Sequence, residues 1–178
     1  MKIIAITQPF FFDGEAEAIG TLLAEGRADI VHLRKPGSDA DGCRRLLDNI
    51  ASEWLGRIVT HDHFGLCAEY GLRGVHLNHR NPTPPPGLTG SVSCSCHSLD
   101  EVTARKPHMG YLFLSPIFDS ISKQGYHSAF DDATLRQASA NGTIDGKVVA
   151  LGGVTYDRLA LLEEYGFGGA AMLGAMWR

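Results

Sequence analysis

Short runs of apolar and β-branched residues alternate with longer amphipathic or polar segments almost from one end of the chain to the other. Runs bounded by Gly, Pro or Asp predict strands, near Ile3 to Gln8, Asp29 to Lys35, Arg57 to Asp62, Gly74 to Asn78, Ser91 to Cys96, Tyr111 to Ser115, Lys147 to Leu151 and Gly169 to Leu173. Helical periodicity fills the gaps near Glu15 to Glu25, Asp39 to Trp54, Phe64 to Tyr70, Leu99 to Arg105, Asp131 to Ala140 and Tyr156 to Tyr165. Ser98 with Glu101 forms a capping box, and Gly26, Gly71 and Gly166 stand where helices should stop. The segment Asn81 to Gly90 holds four of the eight prolines and cannot form a regular helix.

Alternating strands and helices imply parallel strands with right-handed crossovers, either doubly wound or closed into a barrel. Doubly wound strands read as continuous apolar runs because helices cover both faces. Several strands here alternate instead: Val31 and Leu33 oppose His32 and Arg34, Val75 and Leu77 oppose His76 and Asn78, and Cys94 and Cys96 oppose Ser93, Ser95 and His97. No G-x-G-x-x-G follows the first strand, which weakens a dinucleotide-binding reading. The prediction is an α/β fold, a single TIM (β/α)8 barrel over residues 1–178, with an irregular fourth crossover and little or no eighth helix. At 178 residues the chain is short for such a barrel, typically ~250 residues. Its last strand is followed only by Gly174-Ala-Met-Trp-Arg178, so strands one and eight are expected to lack outer cover unless a second subunit or a longer C-terminus supplies it.

Composition narrows the partners. A net charge of −4 gives no electrostatic footprint for nucleic acid or an anionic membrane. No run approaches the ~20 apolar residues of a membrane span, and no secretion signal is legible, so a cytoplasmic protein is expected. In that compartment Cys43, Cys67, Cys94 and Cys96 are expected to stay reduced.

On a barrel, the C-terminal strand ends form the active-site rim. They carry Gln8, His32, Arg34, His61, Asp62, Asn78, Ser95, His97, Ser115 and the Gly152-Gly153 pair. Loops after strands seven and eight frequently bind phosphate, which points to Gly152, Gly153 and Gly174. The polar stretch Ser120-Ile-Ser-Lys123 adds the hydroxyls of Ser120 and Ser122 and the ammonium of Lys123 for an anion. His61-Asp62-His63 and Cys94-Ser95-Cys96-His97 invite zinc, but alternation turns the two cysteines away from His97, and no C-x-x-C spacing supports a site. His97, beside inward serines, is the strongest candidate for acid/base work.

The segments Asp29-Ile-Val-His-Leu-Arg34, Ile58-Val-Thr-His-Asp62, Gly74-Val-His-Leu77, Ser95-Cys-His-Ser-Leu-Asp-Glu101, Tyr111-Leu-Phe-Leu-Ser-Pro-Ile-Phe118, Val149-Ala-Leu-Gly-Gly-Val154 and Gly169-Ala-Ala-Met-Leu-Gly174, in this order and spacing, resemble the thiamine phosphate synthase and TenI family. The resemblance covers essentially the whole chain and implies a (β/α)8-barrel enzyme of thiamine biosynthesis that binds a thiazole phosphate. The family's synthase branch joins a pyrimidine methyl diphosphate to a thiazole phosphate, with Mg²⁺ helping diphosphate leave. Its Gln-x-Arg-x-Lys motif stands here as His32-Leu33-Arg34-Lys35-Pro36, its Asn-Asp pair as His61-Asp62, and its second acidic metal ligand as Asn81. Its Thr-x-Thr-Lys loop is matched by Ser120-Ile121-Ser122-Lys123.

Ionising a diphosphate needs charge neutralisation, and the altered positions are those that would supply it. The substitutions therefore lean toward the TenI branch, whose characterised members are thiazole tautomerases. On that reading His97 moves the proton, Arg34 or His32 places the substrate carboxylate, and no cofactor is required. The alternatives are a synthase using Mg²⁺ at Asp62, and a non-catalytic ligand-binding or regulatory protein. Expected partners are small phosphorylated thiazole or pyrimidine ligands and a second copy of the chain, with no nucleic acid and no membrane.

Overall fold

The structure is a computed structural model that describes residues 1–119 and 130–177. Eight parallel strands run in sequence order and close into a barrel: β1 (Lys2–Ile6), β2 (Ile30–Leu33), β3 (Ile58–Thr60), β4 (Gly74–Leu77), β5 (Ser91–Cys96), β6 (Tyr111–Leu114), β7 (Val148–Leu151) and β8 (Gly169–Met172). All eight expected strands are present: β5 matches its expected bounds, β1 begins one residue earlier than expected and stops two residues short, and the other six are shortened at one or both ends. Helices α1 (Glu15–Ala24), α2 (Ala40–Asp48), α3 (Ser52–Leu55), α4 (Gly65–Tyr70), α5 (Leu99–Arg105), α6 (Asp132–Ala140) and α7 (Leu159–Glu164) lie between them. The chain divides into two compact units, Ile4–Val92 and Ser93–Arg178 with Met1–Ile3.

In the first unit β1 to β4 pair in register, with Ile6 beside His32, His32 beside Val59 and Thr60 beside Val75. Ile4, Val31, Ile58, Val59 and Val75 are buried in these strands, and Ile19, Leu22, Leu23, Leu47 and Leu66 are buried on the helices. The helix expected from Asp39 to Trp54 is broken into α2 and α3 by Asn49 to Ala51. The Asp39 carboxylate caps α2 by accepting from Gly42 N at 2.7 Å. Gly74 opens β4 where Ser91 O comes so near that a Cβ would lie 1.9 Å from it, so only glycine fits. From β4 to Ser91 the Pro-rich segment carries no helix, as expected.

In the second unit β5 to β8 pair with Ser95 beside Phe113, Phe113 beside Val149 and Ala150 beside Ala170. Leu112, Phe113, Leu114, Val148, Ala150 and Ala170 are buried there. Ser98 caps α5 by accepting from Glu101 N at 3.1 Å. The Glu101 carboxylate, which in a reciprocal box returns to the cap residue's own N–H, reaches one residue further and accepts from His97 N at 2.8 Å. A single 3-10 turn, Tyr156–Arg158, precedes α7, so the expected helix from Tyr156 starts three residues late. After β8 the described residues form only a turn. Among the described residues no helix is long and apolar enough to cross a membrane.

Candidate active site

The first unit gathers polar groups at the ends of β2, β3 and β4. Register explains how. His32 lies beside Val59, so His61, two residues on, shares that face; Thr60 lies beside Val75, so His61 falls next to His76. The three imidazoles are buried. His32 Nδ1 and His61 Nε2 share a hydrogen bond of 2.8 Å, His61 stacks on His76 with ring centroids 4.2 Å apart, and His76 meets His32 edge-on at 5.2 Å. Burial holds all three well below the usual histidine range, His76 at about 3, because a buried imidazolium loses its hydration. Positive neighbours push the same way: Arg73 on His32, Arg34 on His76, and both Arg34 and Arg80 on His61. His32, expected to touch substrate, is fully buried and hydrogen-bonds His61 instead. His76 shared its polar face in the sequence pattern, but the alternation alone gave it no role.

Asp62 stands just beyond β3, its side chain 14% exposed. Its carboxylate accepts from Arg80 Nη2 at 2.9 and 3.1 Å, Arg80 Nε at 3.2 Å and Asn81 Nδ2 at 3.1 Å. Asn78 builds the turn that aims these donors. Its Oδ1 accepts from Arg80 N and Asn81 N, and its Nδ2 donates to His61 O at 2.6 Å. Arg80 was not among the expected site residues; no short motif marks it, and only the turn brings it onto Asp62. His63, at φ 53°, turns away and pairs through Nε2 with Ser38 O at 2.8 Å.

Arg34 is half-buried at the end of β2, its backbone N–H donating to Thr7 Oγ1 at 2.9 Å. Lys35, next to the motif's lysine position that Pro36 occupies here, is committed elsewhere. Its buried ammonium donates to Gln8 O (2.9 Å), Phe10 O (2.7 Å) and the Glu15 carboxylate (2.5 Å), and lies over the Phe11 ring. It ties the loop after β1 to α1 and is not available to an anion.

In the second unit His97 follows β5 and is exposed, with Nδ1 3.0 Å from Ser115 O and 3.3 Å from Ser115 Oγ. The carbonyl can only accept, so Nδ1 is the donor in this contact. Ser95 is half-buried on the same strand. Gly152 and Gly153 both sit at positive φ, 94° and 64°, and a Cβ on Gly153 would lie 2.3 Å from Asp119 O. Close approach of Pro116 to Asp119 therefore requires both glycines independently of any ligand. Gly174 has open space around it. Cys94 and Cys96 are buried, away from the His97 face; the neighbouring Cys96 thiol and Arg105 draw Cys94 down to about 7. Neither zinc grouping considered from the sequence is assembled among the described residues; the one cluster with metal-ligand proximity is His32, His61 and His76. Ser120, Ser122 and Lys123 lie outside the described residues.

Eight parallel strands closed in sequence order, with ionisable and hydrogen-bonding groups at their C-terminal ends, define a (β/α)8 barrel of the enzyme type. The thiamine monophosphate synthase family model matches residues 3–176, and the chain belongs to that family. It is 46% identical to a thiamine phosphate pyrophosphorylase from Bacteroides thetaiotaomicron, whose crystal structure superposes with a TM-score of 0.91 over 99% of this chain and 85% of that one. A thiamine phosphate pyrophosphorylase from Pyrococcus furiosus, 19% identical over 99% of this chain and 88% of that one, shares the fold with a TM-score of 0.75. A curated relative, the thiamine-phosphate synthase of Histophilus somni, is 27% identical over 136 residues, 72% of this chain but only 61% of the relative.

These relatives overturn the expected leaning toward a TenI-like thiazole tautomerase with His97 as its acid/base: they are named as synthases or pyrophosphorylases. Charges lost position by position within the motifs do not describe the folded site. Arg80 supplies a cation at Asp62 that no motif position records, and His32 is a buried partner of His61 with no opening to a carboxylate.

Proposed function

We propose that this chain is a thiamine-phosphate synthase, coupling a pyrimidine methyl diphosphate to a thiazole phosphate. The observation that carries this reading is the 46% identity over 99% of the chain to the Bacteroides pyrophosphorylase. In the reaction the thiazole ring nitrogen bonds to the pyrimidine methylene carbon while that carbon's bond to the diphosphate oxygen breaks, releasing diphosphate. Negative charge grows on the leaving group, so preorganised positive charge lowers the barrier.

Arg80 has a side chain 42% exposed and can turn from Asp62 to the diphosphate, while Arg34 adds a second fixed charge. Asp62 would hold Mg²⁺, which, when bound, neutralises and orients the diphosphate oxygens. Its donors support that fit: the carboxylate already holds a cation, and Mg²⁺ is commonly bound by one or two carboxylates plus substrate phosphates. Asn81 turns its Nδ2 to Asp62 and adds no second negative charge. Gly152, Gly153 and Gly174, with Ser120, Ser122 and Lys123 from the matching loop motif, are assigned to the thiazole phosphate. Ser95 and the imidazole of His97 are assigned to hydrogen-bonding substrate.

Incubation of the protein with both phosphorylated halves and Mg²⁺ tests the proposal, with products separated by chromatography. Thiamine phosphate and diphosphate are expected in equal amounts, with turnover about tenfold or more lower in Asp62→Asn. Absence of thiamine phosphate from folded protein at every Mg²⁺ concentration overturns it.

A further inference from the structure

The coupling reaction leaves one cluster unused. His32, His61 and His76 come from three adjacent strands, share one face by register, and bring one nitrogen each to within 4.8 Å of the other two. Three apolar side chains would fill that face without the cost of burying polar rings. The 2.8 Å contact between His32 Nδ1 and His61 Nε2 holds a single proton between two ring nitrogens. A cation placed there would take a lone pair from each ring once the shared proton moves to the far nitrogen of the ring that donates it, leaving each imidazole neutral with one N–H.

We propose that His32, His61 and His76 form a three-imidazole site for a borderline divalent transition ion of the Zn²⁺ or Co²⁺ class. Donor chemistry separates it from Asp62. Neutral imidazole suits zinc, cobalt, nickel and copper, whereas Mg²⁺ demands oxygen. Metal–nitrogen bonds of ~2.0–2.1 Å in a tetrahedral site set the ligand nitrogens about 3.4 Å apart. The cluster brackets that spacing, from 2.8 Å between His32 and His61 up to 4.8 Å at most, so side-chain rotations of about 1 Å complete it. Three protein ligands leave a fourth position open. The charged groups facing the cluster are Arg73 on His32, Arg34 on His61 and His76, and Arg80 on His61. With neutral ligands and guanidinium neighbours, the open position favours an anionic oxygen, hydroxide or a phosphate oxygen, over neutral water. The site does not depend on the coupling reaction, and metal binding is read without any assay of turnover.

The test is titration of chelator-stripped full-length protein with Co²⁺, followed by visible absorption, and with Zn²⁺, followed by calorimetry. One equivalent of each is expected to bind, Co²⁺ giving the intense absorption of four-coordinate nitrogen ligation and resisting displacement by millimolar Mg²⁺. His32→Gln and His76→Gln should each weaken binding about 10- to 100-fold, whereas His97→Gln and His79→Gln should leave it within about twofold. Should a variant fail to fold by circular dichroism, proton NMR of the Co²⁺-loaded wild type still decides, because three coordinated histidines give three paramagnetically shifted ring N–H resonances. Lack of stoichiometric binding, binding indifferent to loss of the triad, or the weak spectrum of six-coordinate oxygen ligation would each overturn the assignment.

Discussion

Replacing Lys35 by Met removes an ammonium while keeping most of its stem, and isolates what that buried charge does. The Lys35 and Glu15 side chains are each 1% exposed, and Glu15 Oε2 has no hydrogen-bond partner. Without Lys35 the Glu15 carboxylate loses its cation, and Gln8 O and Phe10 O each lose a donor. Breaking a buried pair from one side costs about 3–5 kcal/mol, and for a domain of this size each kcal/mol is worth about 2–4 °C. Lys35→Met should therefore lower Tm by roughly 6–20 °C. The double variant Glu15→Gln, Lys35→Met should recover at least half of that loss, since it also removes the desolvated charge.

Burial already raises the Glu15 pKa in the paired state, and more so once its cation is gone. A carboxyl whose folded pKa exceeds its unfolded value binds more protons when folded, so stability rises as pH falls toward the unfolded value of about 4.3. The gap between Lys35→Met and wild type should accordingly narrow between pH 7 and pH 5. Urea denaturation followed by circular dichroism at both pH values measures this. A loss below about 1 kcal/mol, or a double variant no more stable than Lys35→Met, would refute the assignment of Lys35 as a structural tie.

The histidine cluster gives the opposite pH dependence. Folded pKa values below 6.5, about 3 for His76, mean that the unfolded chain binds more protons below pH 6.5, so stability falls as pH falls through that window. In chelator-treated protein the slope should be up to about 1.4 kcal/mol per pH unit for each histidine, and His76→Phe should remove about a third of it, read from urea midpoints at pH 7, 6 and 5. Gly152→Ala and Gly153→Ala should each cost about 1–3 kcal/mol for their positive φ, whereas Gly174→Ala, with open space around it, should stay within about 0.5 kcal/mol by thermal melting. Arg80→Ala should leave stability within about 1 kcal/mol, its salt bridge being partly exposed, and yet lower the rate of thiamine phosphate formation about tenfold or more in the coupled assay; an unchanged rate removes Arg80 from the diphosphate site. Ser98→Ala should cost about 1 kcal/mol through loss of its N-cap, measured by chemical denaturation.

The sequence by itself determined the barrel. Period-two alternation in Val31 to Arg34 and Val75 to Asn78, with turn residues at each boundary, identifies strands because side chains on a strand must alternate faces. Helix starts at Asp39, Ser98 and Asp131 are equally local, since a cap residue bonds a backbone N–H three positions away. Motif order also identified the family. The substitutions within those motifs misled about the branch, because a motif records which residue occupies a position and says nothing of which distant side chain neutralises its charge.

What tertiary structure alone decided are the pairings made across strands and loops. Lys35 had the right charge beside the right motif position, yet twenty residues of separation from Glu15 hid the buried pair that claims it. Arg80 reaches Asp62 only through the turn that Asn78 folds. The histidines at 32, 61 and 76 are far apart in the chain and become one cluster only through strand register, which sets lateral neighbours by hydrogen bonding and leaves no short-range mark in the sequence.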